Sequence, residues 1–281
     1  MIAMTFPSRQ EAEALYNALQ KDRTLFHVKL DGVFVFIEGM RAGFTTHTRE
    51  RLSDLLTQFI IDYYEDRWFT DIIRKTFYFD DEEEQASILD IIHAILSGDK
   101  KDLPNIERLP AREELIQTSI SDLLKGPATF SFESIETFRL HRYHQWLLRV
   151  TELAIDEYKL QQEYVAFIDK LRRIVQEYRP LHNTIYIKDD DPFELYDEKL
   201  QPIKNLQSIR SFYPLLKQWG IDPKPSIVLS LIGLSPEKIH IYTSRQDRDE
   251  MVTIQKVFEE RVMFHPKGDF KNVGFIHHTK A

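Results

Sequence analysis

Two histidines, His141 and His144, stand three residues apart, with Glu152 and Asp156 eleven and fifteen residues beyond the first. At 100° per residue, a helix gathers these four within about a third of its circumference. Two imidazoles and a carboxylate make a ligand set for a divalent metal, and such a centre would suit a metal-dependent hydrolase. One helix alone holds Glu152 about two to three turns from the histidines, so a second element has to donate the missing ligand. The plainer reading is the polar side of an amphipathic helix, its carboxylates pairing with Arg149. His141, His144 and Glu152 are thus the metal candidates, while the overall expectation is that the protein uses no metal or other cofactor.

A second group, His265, Asp269, His277 and His278, lies near the C-terminus without a fixed ligand spacing. The run Asp189-Asp190-Asp191 lacks the glycine and the distal glutamate of a calcium loop and reads as a hairpin turn. Residues 139–179 carry 8 Lys and Arg against 6 Asp and Glu, including Arg139, Arg142, Arg149, Lys159, Lys170, Arg172, Arg173 and Arg179. A basic stretch with Tyr143, Trp146, Tyr158 and Tyr164 could meet phosphates and stack on bases. Acidic residues interleave the arginines, however, and Tyr143 and Tyr164 fall on apolar stripes, so nucleic-acid binding is the weaker alternative. No Gly-x-Ser-x-Gly, phosphate loop, dinucleotide fingerprint or His-Glu-x-x-His occurs.

These residues must be positioned by elements that the patterning shows. Ile2–Phe6 reads as a strand, and Ser8 with Glu11 fits a capping box that opens a helix running to about Lys21. Phe26, Val28 and Leu30 alternate with polar residues, Asp31-Gly32 marks a hairpin, and Val33–Ile37 is its return strand. Leu52, Leu55, Leu56, Phe59, Ile60 and Tyr63 form one helical stripe capped by Thr46 or Thr48, with a separate helix expected around Trp68–Ile73. The acids Asp80–Glu84 precede Ile88, Ile91, Ile92 and Ile95, as expected where carboxylates oppose the positive end of a helix dipole. Gly98 stops that helix. A short helix over Leu115–Leu124 and an extended piece around Phe130 follow.

Helical periodicity then runs from about Glu133 to Arg179, with Leu160, Tyr164, Phe167, Ile168, Leu171, Ile174 and Tyr178 on one face. Ile185 and Ile187, a polar turn, then Phe193 and Leu195 predict a second hairpin. Helices are expected around 204–218 and 224–233. A strand at Ile239–Tyr242, a helix at Met251–Phe258 and a strand at Val262–Phe264 predict a βαβ crossover.

Within this frame Phe138-Arg139-Leu140 with Tyr143, the runs Ala154–Tyr158 and Glu163–Ile168, Leu171-Arg172, and Thr253-Ile254, Val257-Phe258 and Glu260-Arg261-Val262 are similar to the YtxC-like family of sporulation proteins. The resemblance implies an endospore-forming bacterium and a role linked to sporulation. It carries no catalytic residues onto this chain.

Composition bounds the rest. A chain of 281 residues is one large domain or two, with core enough to need no staples. The absence of cysteine excludes disulfides, thiolate zinc sites, iron–sulfur clusters and a cysteine nucleophile. A net charge of −8 gives no overall attraction to nucleic acid or to an anionic membrane. No signal peptide, lipidation motif or membrane-length apolar run is read, so a cytoplasmic location is expected.

The fold expected is α+β and mainly helical. An N-terminal β-α-β-β unit spans 1–40, a central helical bundle 41–180, and a mixed α/β part 181–281. The function expected is that of a non-enzymatic protein-interaction partner, with Arg139, Arg142 and Arg172 as contact residues because a guanidinium grips carboxylate or phosphate with two parallel bonds.

Overall fold

In the computed structural model the chain is a mainly helical α+β protein; residues 1–40, 44–100, 103, 106, 109–126, 128–203 and 226–271 are described. It divides into two compact units, Met1–Leu160 and Gln161–Ala281.

The first unit opens with β1 (Ile2–Thr5), α1 (Arg9–Leu19), β2 (Phe26–Asp31) and β3 (Phe34–Gly39), in the order the alternation predicts. Ser8 caps α1 by accepting from the Glu11 amide at 3.2 Å. The Glu11 carboxylate turns away from the expected box to take Arg67 at 3.3 Å. In the hairpin Asp31 still pairs with Phe34, so the turn residues are Gly32 and Val33, one position later than the Asp-Gly pair suggests. Gly32 supplies the positive φ of 63° that the first turn position requires.

Then come α2 (Thr46–Lys75), α3 (Glu82–Leu96), α4 (Arg112–Ser121), β4 (Ala128–Ser131) and α5 (Phe132–Phe138). The expected break before Trp68 is absent. No proline or glycine interrupts 46–75, so the two predicted helices are one of 30 residues, about 45 Å long. Its cap is Thr45, which accepts from the Thr48 amide at 3.2 Å. Asp81 caps α3, whose first turn carries Glu82, Glu83 and Glu84, and Gly98 follows its end at φ 81°. β4 lies parallel to β1, with Met4 opposite Phe130, which completes a sheet of order β2-β3-β1-β4.

Between α5 and α6 (His141–Glu177) the chain bends rather than running on. The Arg139 and Leu140 amides both reach the Ile135 carbonyl, at 2.8 and 3.1 Å, and Leu140 drops into the core. From His141 onward α6 is a single helix of 37 residues. Its predicted inward stripe is half right. Ile168, Leu171 and Ile174 are buried, but Leu160 is 61% exposed and Tyr164 and Phe167 are exposed as well.

The second unit is built on β5 (His182–Lys188), β6 (Glu194–Tyr196), β7 (Pro236–Thr243) and β8 (Val262–Pro266), in the sheet order β6-β5-β7-β8. β5 and β6 form the expected hairpin, while β7 is parallel to both β5 and β8. The link from β7 to β8 is α8 (Asp249–Phe258), the predicted crossover. α7 (Ile227–Leu234) is apolar nearly all round and accordingly buried, with Ser226 as its cap. The helix expected at 204–218 lies outside the described residues. Ile185, Ile187, Ile239 and Ile241 point to one face of the sheet and share a core with Leu171, Leu231 and Ile254. The opposite face carries Tyr186 and Tyr242, packed with Tyr196 and Phe270. Among the described residues no helix is long and apolar enough to cross a membrane.

Candidate functional site

The most concentrated chemistry lies where α2 meets α6 in the first unit. Glu65 falls on the buried stripe of α2 and is only 4% exposed. A bare carboxylate there would lose its hydration with nothing in return. Tyr143, fully buried on α6, donates its hydroxyl to Glu65 Oε2, and the Arg112 guanidinium at the start of α4 pairs with Oε1. Burial pushes the Glu65 pKa up, while the Tyr143 hydroxyl and then Arg112 pull it down. Burial, reinforced by the Glu65 charge, lifts the Tyr143 phenol far above its ordinary range and keeps it a donor.

A second carboxylate stands close by. Trp68 Nε1 donates to Glu136 Oε1 at 2.9 Å, and burial raises the Glu136 pKa. Tyr64 stacks on Phe132 with ring centroids 4.3 Å apart, and the Arg67 guanidinium lies 5.2 Å from the centroid of the Tyr64 ring itself. The Tyr64 hydroxyl, Glu11 Oε2 and His144 Nε2 are buried without a hydrogen-bond partner among the described residues.

His144 is half-buried and sits edge-on to Trp68, centroids 4.7 Å apart, and burial lowers its pKa. His141 is exposed at the first residue of α6. Glu152 pairs with Arg149 at 2.7 Å, and Asp156 is exposed. The structure therefore does not bring the proposed ligands together. Among the described residues no three His, Asp or Glu side chains gather where they could hold a metal ion. His277 and His278 lie outside the described residues. His265 instead meets His240, Nδ1 of one 2.8 Å from Nε2 of the other, on the tyrosine-bearing face of the second sheet.

These groups give stability two opposing pH responses. His144 and His240 are held below their ordinary value of 6.5, chiefly by burial. As pH falls through that value the unfolded chain binds protons the fold refuses, so stability is lost on acidification. Glu65 and Glu136 are held above their ordinary value of 4.5. Their contribution is complete below that value and is lost as pH rises through the folded-state pKa. In urea melts at about pH 7.5 and about pH 5.5, His144→Gln is expected to lose less stability on acidification than the wild type, by up to roughly 1.4 kcal/mol per pH unit. An identical pH dependence in the two proteins would show that His144 takes up its proton as readily in the fold as in the unfolded chain.

Arg139 and Arg142 flank the α5–α6 bend. Turning Leu140 inward leaves Phe138 74% exposed, with Arg139, His141 and Arg142 exposed beside it. Arg142 makes no side-chain hydrogen bond or ion pair among the described residues. Arg139 adds to the hold of Lys125, the larger influence, on the Asp122 carboxyl, which lies below its ordinary range. Arg172 belongs to the second unit and is engaged there. It pairs with Asp169 and Glu259, both at 3.1 Å, and donates to the Lys256 carbonyl at 2.6 Å. Tyr143, Trp146 and Tyr158 are buried, and Tyr164 faces the Lys256 ammonium at 4.9 Å.

At the carboxyl ends of the parallel strands, Asp189 is an anchor rather than a turn acid. It is 2% exposed and accepts from Thr243 Oγ1 at 2.7 Å and from Arg248 at 2.8 Å. Lys267, just beyond β8, bridges to the Asp189 carbonyl and to the Asp190 carboxylate. Glu65 and Arg112 are residues that spacing alone passes over, and Asp189 is one it reads only as a turn residue. An acid set on an otherwise apolar helical stripe is the one signal that marks Glu65.

Comparison with known proteins places these features in context. The model of the YtxC-like family matches residues 50–263. The chain is 29% identical over 269 residues to the uncharacterized protein YtxC of Bacillus subtilis (strain 168), covering 95% of this chain and 94% of that protein. No solved structure matches.

Proposed function

The chain belongs to the YtxC-like family, and from that premise we propose that it is a non-enzymatic interaction protein, cytoplasmic and acting in sporulation. The observation that carries this reading is the α5–α6 bend, where Phe138 stands 74% exposed next to Arg139 and Arg142. Aromatic residues and arginine are the side chains most enriched at the energetic centres of protein interfaces. Leu140 at the bend and Tyr143 one turn on are buried, which anchors the backbone there, so its contacts need little ordering on binding. Phe138 supplies the apolar anchor, and the two guanidinium groups grip carboxylates of the partner. Arg172, already engaged by Asp169 and Glu259, serves as an internal clamp in this reading.

A photo-reactive amino acid placed at position 138 tests the proposal in sporulating cells. A discrete cross-linked species is expected from position 138 and none from position 23, where Arg23 is also exposed. The same pattern from both positions, or no species from either, would overturn it.

A further inference from the structure

A cleft lined mostly by polar and charged residues, between the first turns of α2 and the end of α4, has no part in that proposal. Its volume is about 510 Å³, inside the range of about 300–1,000 Å³ usual for small-molecule sites. Arg49 lines it. The Nε of Arg49 is buried without a hydrogen-bond partner, and its side chain enters no ion pair among the described residues. Its neighbour Arg51, by contrast, reaches Asp22 at 2.7 Å, and Arg67 and Arg112 each hold a glutamate. That enclosed Nε is out of a ligand's reach, but the two terminal guanidinium nitrogens are accessible, make no hydrogen bond among the described residues, and are what the cleft offers a partner.

The rest of the lining narrows what that partner is. Glu50 and Asp54 face the same cleft as Arg49 and Lys125, so its formal charges balance. Asp54 is partly quieted by the Gln117 amide at 2.9 Å, and Lys125 by Asp122 at 2.6 Å. Glu50 has no side-chain partner among the described residues. A bare anion would gain Arg49 but meet two carboxylates, and a bare cation would meet Arg49. A molecule bearing both charges satisfies both.

We infer that this cleft binds a small amino-carboxylate, a free amino acid or a short peptide, with its carboxylate on the Arg49 guanidinium and its ammonium group toward Glu50. The planar guanidinium fork suits a carboxylate geometrically. The buried Ser53 and the Ser121 hydroxyl offer further polar contacts along the wall.

Calorimetric titration of the full chain with glycylglycine tests this, with acetate and inorganic phosphate as comparators. Saturable glycylglycine binding is expected, with acetate and phosphate weaker by about tenfold or more. Arg49→Gln should weaken the dipeptide by about tenfold or more, whereas Arg74→Gln, far along α2, should leave it unchanged. Glu50→Gln should weaken glycylglycine and leave acetate as it was. That exposed position keeps the test decisive should Arg49→Gln fail to fold. No saturable dipeptide binding, binding indifferent to both cleft variants, or phosphate bound as tightly as the dipeptide would each overturn the assignment.

Discussion

Glu65→Ala is expected to lower the unfolding free energy by about 3–5 kcal/mol, the usual result of removing one partner from a buried ion pair. The loss has three sources. Arg112 is left facing a site it can no longer neutralise. The Tyr143 hydroxyl is left buried with no acceptor. The missing side chain also opens a void on the packed stripe of α2. Against a total stability of about 5–15 kcal/mol for a typical protein, this is a large share of what holds the fold.

Two companions sharpen the expectation. Tyr143→Phe removes one donor and should cost about 1–3 kcal/mol. Replacing Glu65, Tyr143 and Arg112 together with apolar residues of similar volume should recover most of the loss, because a removed pair leaves nothing unpaired. Urea melts followed by circular dichroism check all three. A Glu65→Ala loss below about 1 kcal/mol would mean that the carboxylate is not serving the fold. Glu65 would then be a candidate for proton transfer, and the non-enzymatic reading would weaken.

The first forty residues are readable because short-range rules decide them. Alternation places β2 and β3, Ser8 caps α1, and the Asp31-Gly32 pair locates the hairpin even though the turn itself falls one residue on. The partner of β1 is not readable. β4 pairs with it across more than a hundred intervening residues, and nothing local to Ala128–Ser131 names that neighbour. Periodicity likewise marks which residues of α6 share a face, but not what the face meets. Ile168 and Leu171 find a core, whereas Leu160 does not. His141 and His144 look equivalent on a helical wheel, yet the bend at Leu140 leaves one in solvent and sets the other against Trp68. Asp189 reads as a turn residue because its partners, Thr243 and Arg248, arrive only through the parallel pairing of β5 and β7. Arg49 gives no sign in the sequence, since what distinguishes it is the lack of a partner in space.

The second large effect concerns function. Phe138→Ser with Arg142→Glu removes the exposed ring and reverses the free charge at the α5–α6 bend. Both side chains point to solvent, so stability should stay within about 0.5 kcal/mol of wild type. Interface anchors are each worth about 2 kcal/mol or more, so the pair should weaken the partner complex by roughly a thousandfold. The most direct test is the heat-resistant spore count of an endospore-forming host whose own family member is replaced by this chain or by the double variant. The account predicts a count as low as that of the deletion strain, with the variant present at wild-type abundance. A double variant that sporulates as well as wild type, or a deletion strain that sporulates normally, would contradict it.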